Sequence, residues 1–463
     1  MIDVLIVGAG SAGCVLAERV SADPSCRVTL VEAGPAWTPA DDWVLPIGPD
    51  SPVSRHHRTT LTHDPHQPVG IVRGAVVGGS GAVNGGYFCR AAAADFDAWA
   101  LPGWSWDDVL PHYRAIESDR DFTGPEHGLK GPIPVRRTAD FGAAARAFID
   151  GAAAAYRWID DLNGANGERR GIGAVPLNVA DSQFRHGPGE AFLVPALGRP
   201  NLTLLTGTKV LKVLFDQDRV AGIACSGPDG EMTLHADRIV LCAGAIESAH
   251  LLMLSGIGPA GELRAAGLPV VADLPVGTNT ADHPELVVPV DWPGTPGRPP
   301  VEVLLTDGGL EIRPYTCGFA AMTGSTADVD PVHIGISLMR PKSRGRVRLV
   351  SADPRVPPVI EHRYHADPAD ATVLGAGYDR VRELFGATTM VGDPSWSTAQ
   401  HLSATAPMGT DGQEWAVVDP RCRVLGIDGL WVVDGSILPG ITGRGPHATI
   451  VMIGHRAAEF VSG

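Results

Sequence analysis

Positive charge is scarce in this 463-residue chain, and lysine is scarcer still. Lys and Arg total 37 against 52 Asp and Glu, a net charge of −15. The lysines are only Lys130, Lys209, Lys212 and Lys342. A nucleic-acid-binding protein needs a basic surface to neutralise phosphates, so this composition argues against nucleic acid as a partner.

Long apolar runs are also missing. The sequence has no uninterrupted stretch of about 18 apolar residues and no secretory leader ahead of its first apolar run. We therefore expect no transmembrane segment and a cytoplasmic location. A peripheral contact with the inner face of the membrane is left open.

Cysteine pairs at metal-binding or redox spacing are absent. The seven cysteines are scattered and contain no CxxC motif, which argues against structural zinc and thioredoxin-type chemistry. We expect no metal site, and unpaired cysteines fit a reducing compartment. Apolar residues make up 44% and charged residues 19%, as in a globular chain of two or three domains.

The amino terminus carries a nucleotide-binding pattern. Residues 2–7 are typical of a buried strand, Gly8-Ala9-Gly10-Ser11-Ala12-Gly13 opens a helix, and a second strand over 26–31 ends at Glu32. In this setting the glycines allow a tight turn, close approach of a pyrophosphate and helix–strand packing. Glu32 can accept hydrogen bonds from ribose hydroxyls, and its charge disfavours a 2′-phosphate. The motif alone does not separate FAD from NAD.

Further motifs follow in order along the chain. Glycine-rich tracts cover residues 73–87, 242–258 and 429–439, and two other tracts cover 272–284 and 338–347. Together they resemble the glucose–methanol–choline (GMC) family of flavin oxidoreductases over nearly the whole chain. The resemblance implies an α/β fold (α+β overall), with a Rossmann-like FAD-binding domain and a discontinuous mixed-sheet substrate-binding domain.

That resemblance implies FAD as the cofactor. It places the adenine on Val210, the pyrophosphate near Ala243, and the ribityl and phosphate region at Asp434 and Gly435. Val77, Gly79 and residues 84–87 would line the isoalloxazine. The complete set of expected cofactor-binding residues is Gly8, Gly10, Ser11, Ala12, Gly13, Glu32, Ala33, Val77, Gly79, Asn84, Gly85, Gly86, Tyr87, Val210, Ala243, Asp434, Gly435, Ala448 and Thr449.

One position predicts how the flavin is attached. Some members of the family bind it covalently through a histidine just before the asparagine of the first signature, where this chain has Val83. We therefore expect non-covalent FAD. Ala75 departs from the arginine or lysine often found at its position, which puts that cofactor contact in doubt.

Two histidines are the expected catalytic residues. His401 opens a segment that resembles the catalytic-histidine segment of the family, and His447 follows in Gly445-Pro446-His447. Oxidation of an alcohol requires a base for the hydroxyl proton, and neutral imidazole is suited to that role. We expect His401 to be the base and His447 to orient the substrate oxygen.

The other histidines are interpreted as structural. The sequence predicts that His56, His57, His63 and His66 lie in a polar loop, and the family resemblance implies that this loop lies near the active-site entrance. His283 precedes a proline and is interpreted as a turn marker, and His455 is expected on the C-terminal helix.

The motifs predict two interleaved domains. Residues 1–33, 70–95, 200–285 and 405–463 would form the FAD-binding domain. Residues 34–69, 96–199 and 286–404 would form the substrate-binding domain and entrance loops. The sequence also predicts strands within 301–350, an amphipathic helix over 367–385 and a loop over 293–300.

The substrate is the least determined feature. The short chain and the tracts from Arg73 to Arg90 and from Asp95 to Gly128 most resemble the mycofactocin-associated GMC dehydrogenases. That resemblance implies oxidation of reduced mycofactocin, a peptide-derived redox cofactor, with electrons passed to a respiratory acceptor. The alternatives are a dehydrogenase or oxidase of choline or a small alcohol, a hydroxynitrile lyase with structural FAD, and a non-catalytic flavoprotein.

Overall fold

The computed structural model describes residues 2–36, 43–165, 169–180 and 184–462. The strands of these residues, in chain order, are β1 Ile2–Val7, β2 Cys26–Val31, β3 Ser54–His63, β4 His66–Gly74, β5 Glu117–Asp119, β6 Ile133–Arg136, β7 Trp158–Ile159, β8 Gly171–Ala174, β9 Leu177–Asn178, β10 Leu202–Leu205, β11 Lys209–Asp216, β12 Arg219–Gly227, β13 Gly230–His235, β14 Arg238–Leu241, β15 Ile257–Gly258, β16 Ala272–Asp273, β17 Pro284–Val290, β18 Val303–Asp307, β19 Leu310–Pro314, β20 Val332–Leu338, β21 Arg346–Arg348, β22 Val359–Glu361, β23 Ser395–Thr398 and β24 Leu430–Val432.

The α-helices of the same residues are α1 Ser11–Val20, α2 Ser80–Val83, α3 Ala93–Trp99, α4 Trp106–Ile116, α5 Ala143–Ala152, α6 Val194–Ala196, α7 Gly244–Leu254, α8 Ala260–Ala265, α9 Phe319–Met322, α10 Pro368–Phe385 and α11 His447–Ser462. None of these helices is both long enough and apolar enough to cross a bilayer.

One of the two main sheets is parallel and has five strands, in the order β10-β2-β1-β14-β24. Its central strands read as apolar runs because both faces are covered, and Leu5, Ile6 and Leu30 are buried. The strands predicted over 2–7 and 26–31 are confirmed. Helix α11 packs on α1, where a Cβ on Gly454 would lie 2.9 Å from the Ala12 carbonyl oxygen.

The other main sheet is mixed and has seven strands, in the order β23-β17-β20-β19-β18-β8-β7. Only the β7–β8 pair is parallel. Alternate residues of its strands point to opposite faces. Val288, Ile312 and Ile336 belong to a core with α5 and α10, which cover one face, and the predicted helix over 367–385 is observed as Pro368–Phe385.

The prediction of a polar histidine loop over 56–66 is wrong. The segment forms the hairpin β3–β4, whose strand β3 also pairs with β22. His57 lies on a buried face of that hairpin with 3% exposure, while His56, His63 and His66 are exposed. Alternation along β3 places the adjacent His56 and His57 on opposite faces, while His63 and His66 pair at the turn of the hairpin.

The hydrophobic cores divide the chain differently from the predicted domains at some segments. The core around the parallel sheet also takes in residues 96–135 and 191–196, which the sequence assigned to the substrate-binding domain. Trp104 and Tyr113, both buried, belong to this core. The domain boundaries themselves stay a prediction.

Charged side chains of β5 and of the segments around it form a buried cluster. Its members are Glu117, Asp119, Asp161, Arg90, Arg137 and His127. Ligand atoms of Glu117, Asp119 and His127 lie within 4.8 Å of one another, a spacing that could suit a metal ion. However, Arg90 is ion-paired with Glu117 and Arg137 with Asp119, so arginines already neutralise both carboxylates. With His127 protonated, three positive charges balance three negative ones.

We predict that His127→Gln destabilises the protein by about 3–5 kcal/mol near neutral pH, because it leaves buried carboxylates short of a positive charge. Hydrogen bonds to Asp119 and Asp161 outweigh burial and raise the pKa of His127 from 6.5 to about 11. A raised folded-state pKa gives stability that is present below pH 6.5 and lost as the pH rises through about 11. Denaturant unfolding of both proteins between pH 6 and pH 11 measures the difference.

The exposed His66→Gln serves as the matched control for this measurement and should change stability little at any pH. A stability difference between the native protein and His127→Gln that stays constant up to pH 11 would contradict the protonated state of His127.

Candidate active site

A cavity of about 450 Å³ lies between the parallel sheet and the mixed sheet. Its walls are the loops after β1 and β14, the start of α11, and the polar face of β19. Both predicted catalytic histidines line it, as do these predicted cofactor-binding residues: Gly8, Gly10, Ser11, Ala12, Glu32, Ala33, Gly79, Asn84, Gly85, Tyr87, Val210, Ala243, Asp434 and Gly435.

The glycines of the cavity wall let backbone segments touch. Gly8 has φ +99° and a Cβ there would lie 2.6 Å from the Cys242 carbonyl oxygen. Gly79 has φ +56°, and its Cβ would lie 2.7 Å from the Gly10 Cα. The loops therefore form a floor without side chains, ahead of the N-terminus of α1, which suits a pyrophosphate. This cradle fits the FAD that the sequence predicts.

Two carboxylates hold that floor in place. Glu32 accepts the N–H groups of Ala9 and Gly34, both at 2.8 Å. Asp434 accepts the N–H of Gly244 and the hydroxyls of Ser248 and Ser436. Burial raises the pKa of both acids. Both carboxylates hold loops of the cavity floor together through these hydrogen bonds. Their direct contact with the cofactor stays a prediction.

Five predicted cofactor-binding residues do not line the cavity: Gly13, Val77, Gly86, Ala448 and Thr449. Three of them have contacts elsewhere that account for the residue type. A Cβ on Gly13 would lie 2.0 Å from the Gly8 carbonyl oxygen, and Gly86 packs against the Trp43 ring. The Thr449 hydroxyl is hydrogen-bonded to the Tyr113 hydroxyl at 2.7 Å, behind α11.

Hydrogen bonds determine which nitrogen of His401 carries the proton. His283 Nε2 lies 2.9 Å from the Thr442 carbonyl oxygen, which can only accept, so Nε2 is the protonated nitrogen of His283. Burial lowers the pKa of His283, so the ring is neutral and its Nδ1 accepts. His401 Nδ1 lies 2.8 Å from that nitrogen and must donate to it.

His401 Nε2 therefore has a free lone pair. Burial, reinforced by the positive charges of Arg313 and Arg73, holds the pKa of His401 well below its usual value. Asp282 accepts the backbone N–H of His401 at 2.8 Å and fixes the main chain as well. A Cβ on Gly445 would lie 3.2 Å from His401 Nε2 and 3.1 Å from the Tyr87 ring, so only glycine leaves this space open.

His447 has the opposite tautomer. Asn84 Oδ1 accepts the Gly86 N–H at 2.9 Å, so the Asn84 amide N–H₂ faces His447 Nδ1 at 3.1 Å. His447 Nδ1 accepts, and burial lowers the pKa of the ring to about 4. The remaining proton lies on Nε2, which is buried and without a partner among the described residues. An unsatisfied buried donor of this kind fits an acceptor supplied by a bound molecule.

The two rings thus offer complementary chemistry at neutral pH. His401 presents a lone pair that can take a proton, and His447 presents an N–H that can donate to an oxygen or nitrogen. Neither ring is charged, so neither repels an incoming proton or cation. The pair can remove a hydroxyl proton and hold a polar atom.

Sequence reasoning missed three residues of the site. His283, interpreted as a turn marker, is the hydrogen-bond partner of His401. Arg313 and Tyr315 line the cavity from β19 and the residue after it. The alternation of Glu311, Arg313 and Tyr315 with Leu310, Ile312 and Pro314 was a signal that could have found them.

We predict that Asn84→Asp moves the proton of His447 to Nδ1 and raises the pKa of His447 above about 4, since a carboxylate accepts and attracts a positive ring. Nitrogen-15 NMR of labelled histidine, titrated from pH 3 to pH 8, measures tautomer and pKa. The His447 signal is identified by its loss in His447→Asn. An unchanged tautomer in Asn84→Asp would refute the assigned orientation of the amide.

Comparison with known sequences gives a consistent result. The N-terminal family model of GMC oxidoreductases matches residues 2–285, and the C-terminal model matches residues 341–454. An uncharacterised GMC-type oxidoreductase from the thcA 5′ region of Rhodococcus erythropolis is 39% identical, over 100% of this chain and 98% of that protein. An oxygen-dependent choline dehydrogenase of Pseudomonas aeruginosa is 33% identical, over 100% and 94%.

Solved structures agree with the sequence matches. Pyridoxine 4-oxidase from Mesorbium loti superposes with a TM-score of 0.89 at 29% identity, covering 99% of each chain. A formate oxidase superposes at 0.86 with 23% identity over 99% of this chain and 98% of its own, a likeness of fold. Together with the two family models, these matches establish that the chain is a member of the FAD-dependent GMC oxidoreductase family and an enzyme of the alcohol-oxidising type.

Proposed function

We propose that the protein oxidises an alcohol with His401 as the base and His447 as the donor to the substrate oxygen. The observation that carries this proposal is the free lone pair of His401 Nε2 beside the open space at Gly445. When bound, FAD supplies the acceptor for the carbon-bound hydrogen and its electron pair. His401 takes the hydroxyl proton.

The FAD would be held without a covalent bond. The glycine floor would receive its pyrophosphate, the β11 backbone at Val210 its adenine, and the His401–His447 end its flavin ring. Val83, the residue before Asn84, is buried and carries no nucleophilic atom. Binding then rests on backbone donors and shape.

The substrate that we propose is reduced mycofactocin, with electrons passed to a respiratory acceptor. The support is the likeness of the tracts from Arg73 to Arg90 and from Asp95 to Gly128 to the mycofactocin-associated dehydrogenases. This assignment places the protein in the cytoplasm, with access to the inner face of the membrane, where such acceptors lie. The seven cysteines, all free and buried, are compatible with that location.

Choline is the second candidate substrate. The choline dehydrogenase of Pseudomonas aeruginosa is 33% identical along this entire chain. The rings of Tyr87 and Tyr315 line the cavity and could face a quaternary ammonium group. A hydroxynitrile lyase, which also needs a base, is the more distant alternative.

The test is the visible spectrum of the bound flavin in the absence of oxygen. We expect reduced mycofactocin to bleach the flavin, choline and simple alcohols to leave it oxidised, and air to restore the colour slowly. His401→Ala should keep the flavin bound and slow bleaching by about 10²–10⁴-fold, the usual worth of a general base.

Each alternative result reassigns the protein. Bleaching by choline would select the second candidate, and rapid recovery of colour in air would make oxygen the acceptor. If no alcohol bleaches the flavin, the redox proposal is wrong and the lyase gains support. Equal bleaching rates for the native protein and His401→Ala would remove His401 from the mechanism.

We predict that acid precipitation releases all of the flavin, because Val83 offers no atom for a covalent link. The measurement is the absorbance of the supernatant against that of the pellet. Yellow colour retained in the washed pellet would contradict non-covalent binding.

A further inference from the structure

The mixed sheet presents a row of buried charges toward the cavity. Strand register places Ser337 of β20 between Glu285 of β17 and Glu311 of β19, all on the face opposite the apolar core. Arg313 follows two residues after Glu311 on the same face. It binds Glu311 and Glu285 at 2.9 and 2.8 Å.

Arg313 is the member of this row that reaches the cavity wall. Only 6% of the residue is exposed, and it lines the same cavity as His401. Tyr87 donates its hydroxyl to Glu311, and its ring and the His401 ring both border the space at Gly445, so one acid joins Arg313 to a residue beside the base. Gly335, opposite Arg313, provides room, because its Cβ would lie 2.4 Å from Glu285 Oε1.

The guanidinium keeps unused donors. Its Nη1 donates to Glu311, and its Nη2 donates to Glu285 and Ser337. A guanidinium has five N–H groups, so the second N–H of Nη1 and the N–H of Nε remain, and Nε itself is buried without a partner among the described residues. Because the Arg313 side chain lines the cavity, the remaining Nη1 N–H is the donor for an oxygen atom that enters it.

The carboxylates that line the described part of the cavity are all committed to other partners, so none is free to bind a cationic substrate. Glu32 and Asp434 accept backbone and hydroxyl donors in the glycine floor. Glu247 is paired with Arg55 at 2.9 Å. The hydroxyl of Tyr315 donates to Glu285, so its proton is also committed. The cavity wall also includes apolar side chains, among them Val301 and Met322.

We propose that Arg313 determines specificity by binding a carbonyl or carboxylate oxygen next to the carbinol carbon, so that the substrates are neutral or anionic hydroxycarbonyl compounds and cations such as choline are excluded. The inference rests on the proposed alcohol oxidation and narrows its substrate class. An alcohol derived from a peptide falls within this class where an amide carbonyl adjoins the carbinol carbon. Hydrogen bonds from a rigid guanidinium suit such oxygens.

Binding to the oxidised holoenzyme tests the proposal independently of turnover. Oxamate, which carries a carboxylate beside an amide carbonyl, and tetramethylammonium are titrated while the visible spectrum of the flavin is recorded. We expect oxamate to perturb the spectrum and tetramethylammonium to bind at least tenfold more weakly. Tetramethylammonium binding as tightly as oxamate would overturn the proposal.

Three variants separate recognition from folding. Arg313→Met should weaken oxamate at least tenfold, while Arg313→Lys, which keeps the charge beside Glu285 and Glu311, should retain part of the affinity. Arg298→Met breaks an arginine–glutamate pair of the same sheet region outside the cavity and should leave oxamate binding unchanged. If Arg313→Met does not retain flavin, the proposal is tested by the oxamate affinity of Arg313→Lys and by the preference of the native protein for oxamate over tetramethylammonium.

The matched substrates lactamide and 2-propanol, added without oxygen, complete the test. Faster bleaching by lactamide than by 2-propanol supports the role of Arg313, and bleaching by 2-propanol at an equal or higher rate overturns it. If neither bleaches the flavin yet oxamate binds selectively, the recognition by Arg313 stands, and the response to reduced mycofactocin decides the oxidation proposal.

Discussion

The hydrogen-bond chain from the Thr442 carbonyl through His283 to His401 is the contact on which the rest of the site depends. It joins the start of β17, the loop that carries His401 and the loop that leads into α11. These segments are far apart in sequence, and the chain of bonds sets both their spacing and the tautomer of the base. Asp282 adds a bond to the main chain of His401, so one dipeptide fixes the ring and the backbone together.

The mixed sheet separates two environments by strand alternation alone. One face packs Val288, Ile312 and Ile336 against helices, which keeps the sheet rigid. The other face holds Glu285, Glu311, Arg313 and Arg444, whose charges sum to zero. Burying four charges costs desolvation, and mutual pairing offsets it. The result is a polar wall that is stiff enough to position Tyr87 and Arg313.

The parallel sheet contributes a floor made of main chain. Gly8 against Cys242 and Gly79 against Gly10 bring backbone donors to one surface, and Glu32 and Asp434 hold the loops there. A floor of this kind serves a flat, anionic cofactor because no side chain intervenes. The reactive end of the cavity is then left to the side chains of the opposite wall and to the two histidines.

Features that arise within short segments were predictable from the amino-acid sequence. Local periodicity and glycine spacing predict the strand–glycine turn–helix over residues 2–20, the strand over 26–31 and the helix over 367–385. The two cavity histidines were predicted from the resemblance of their segments to the family, not from periodicity. The roles of His283, His57 and Arg313 became visible only in the folded structure. Their roles depend on strand register and on contacts between residues more than a hundred positions apart, such as His283 with His401. The hydrophobic pattern of a strand determines which of its faces is buried. How the sheets pack determines which residues meet across that face, and these contacts decide which histidine nitrogen carries the proton.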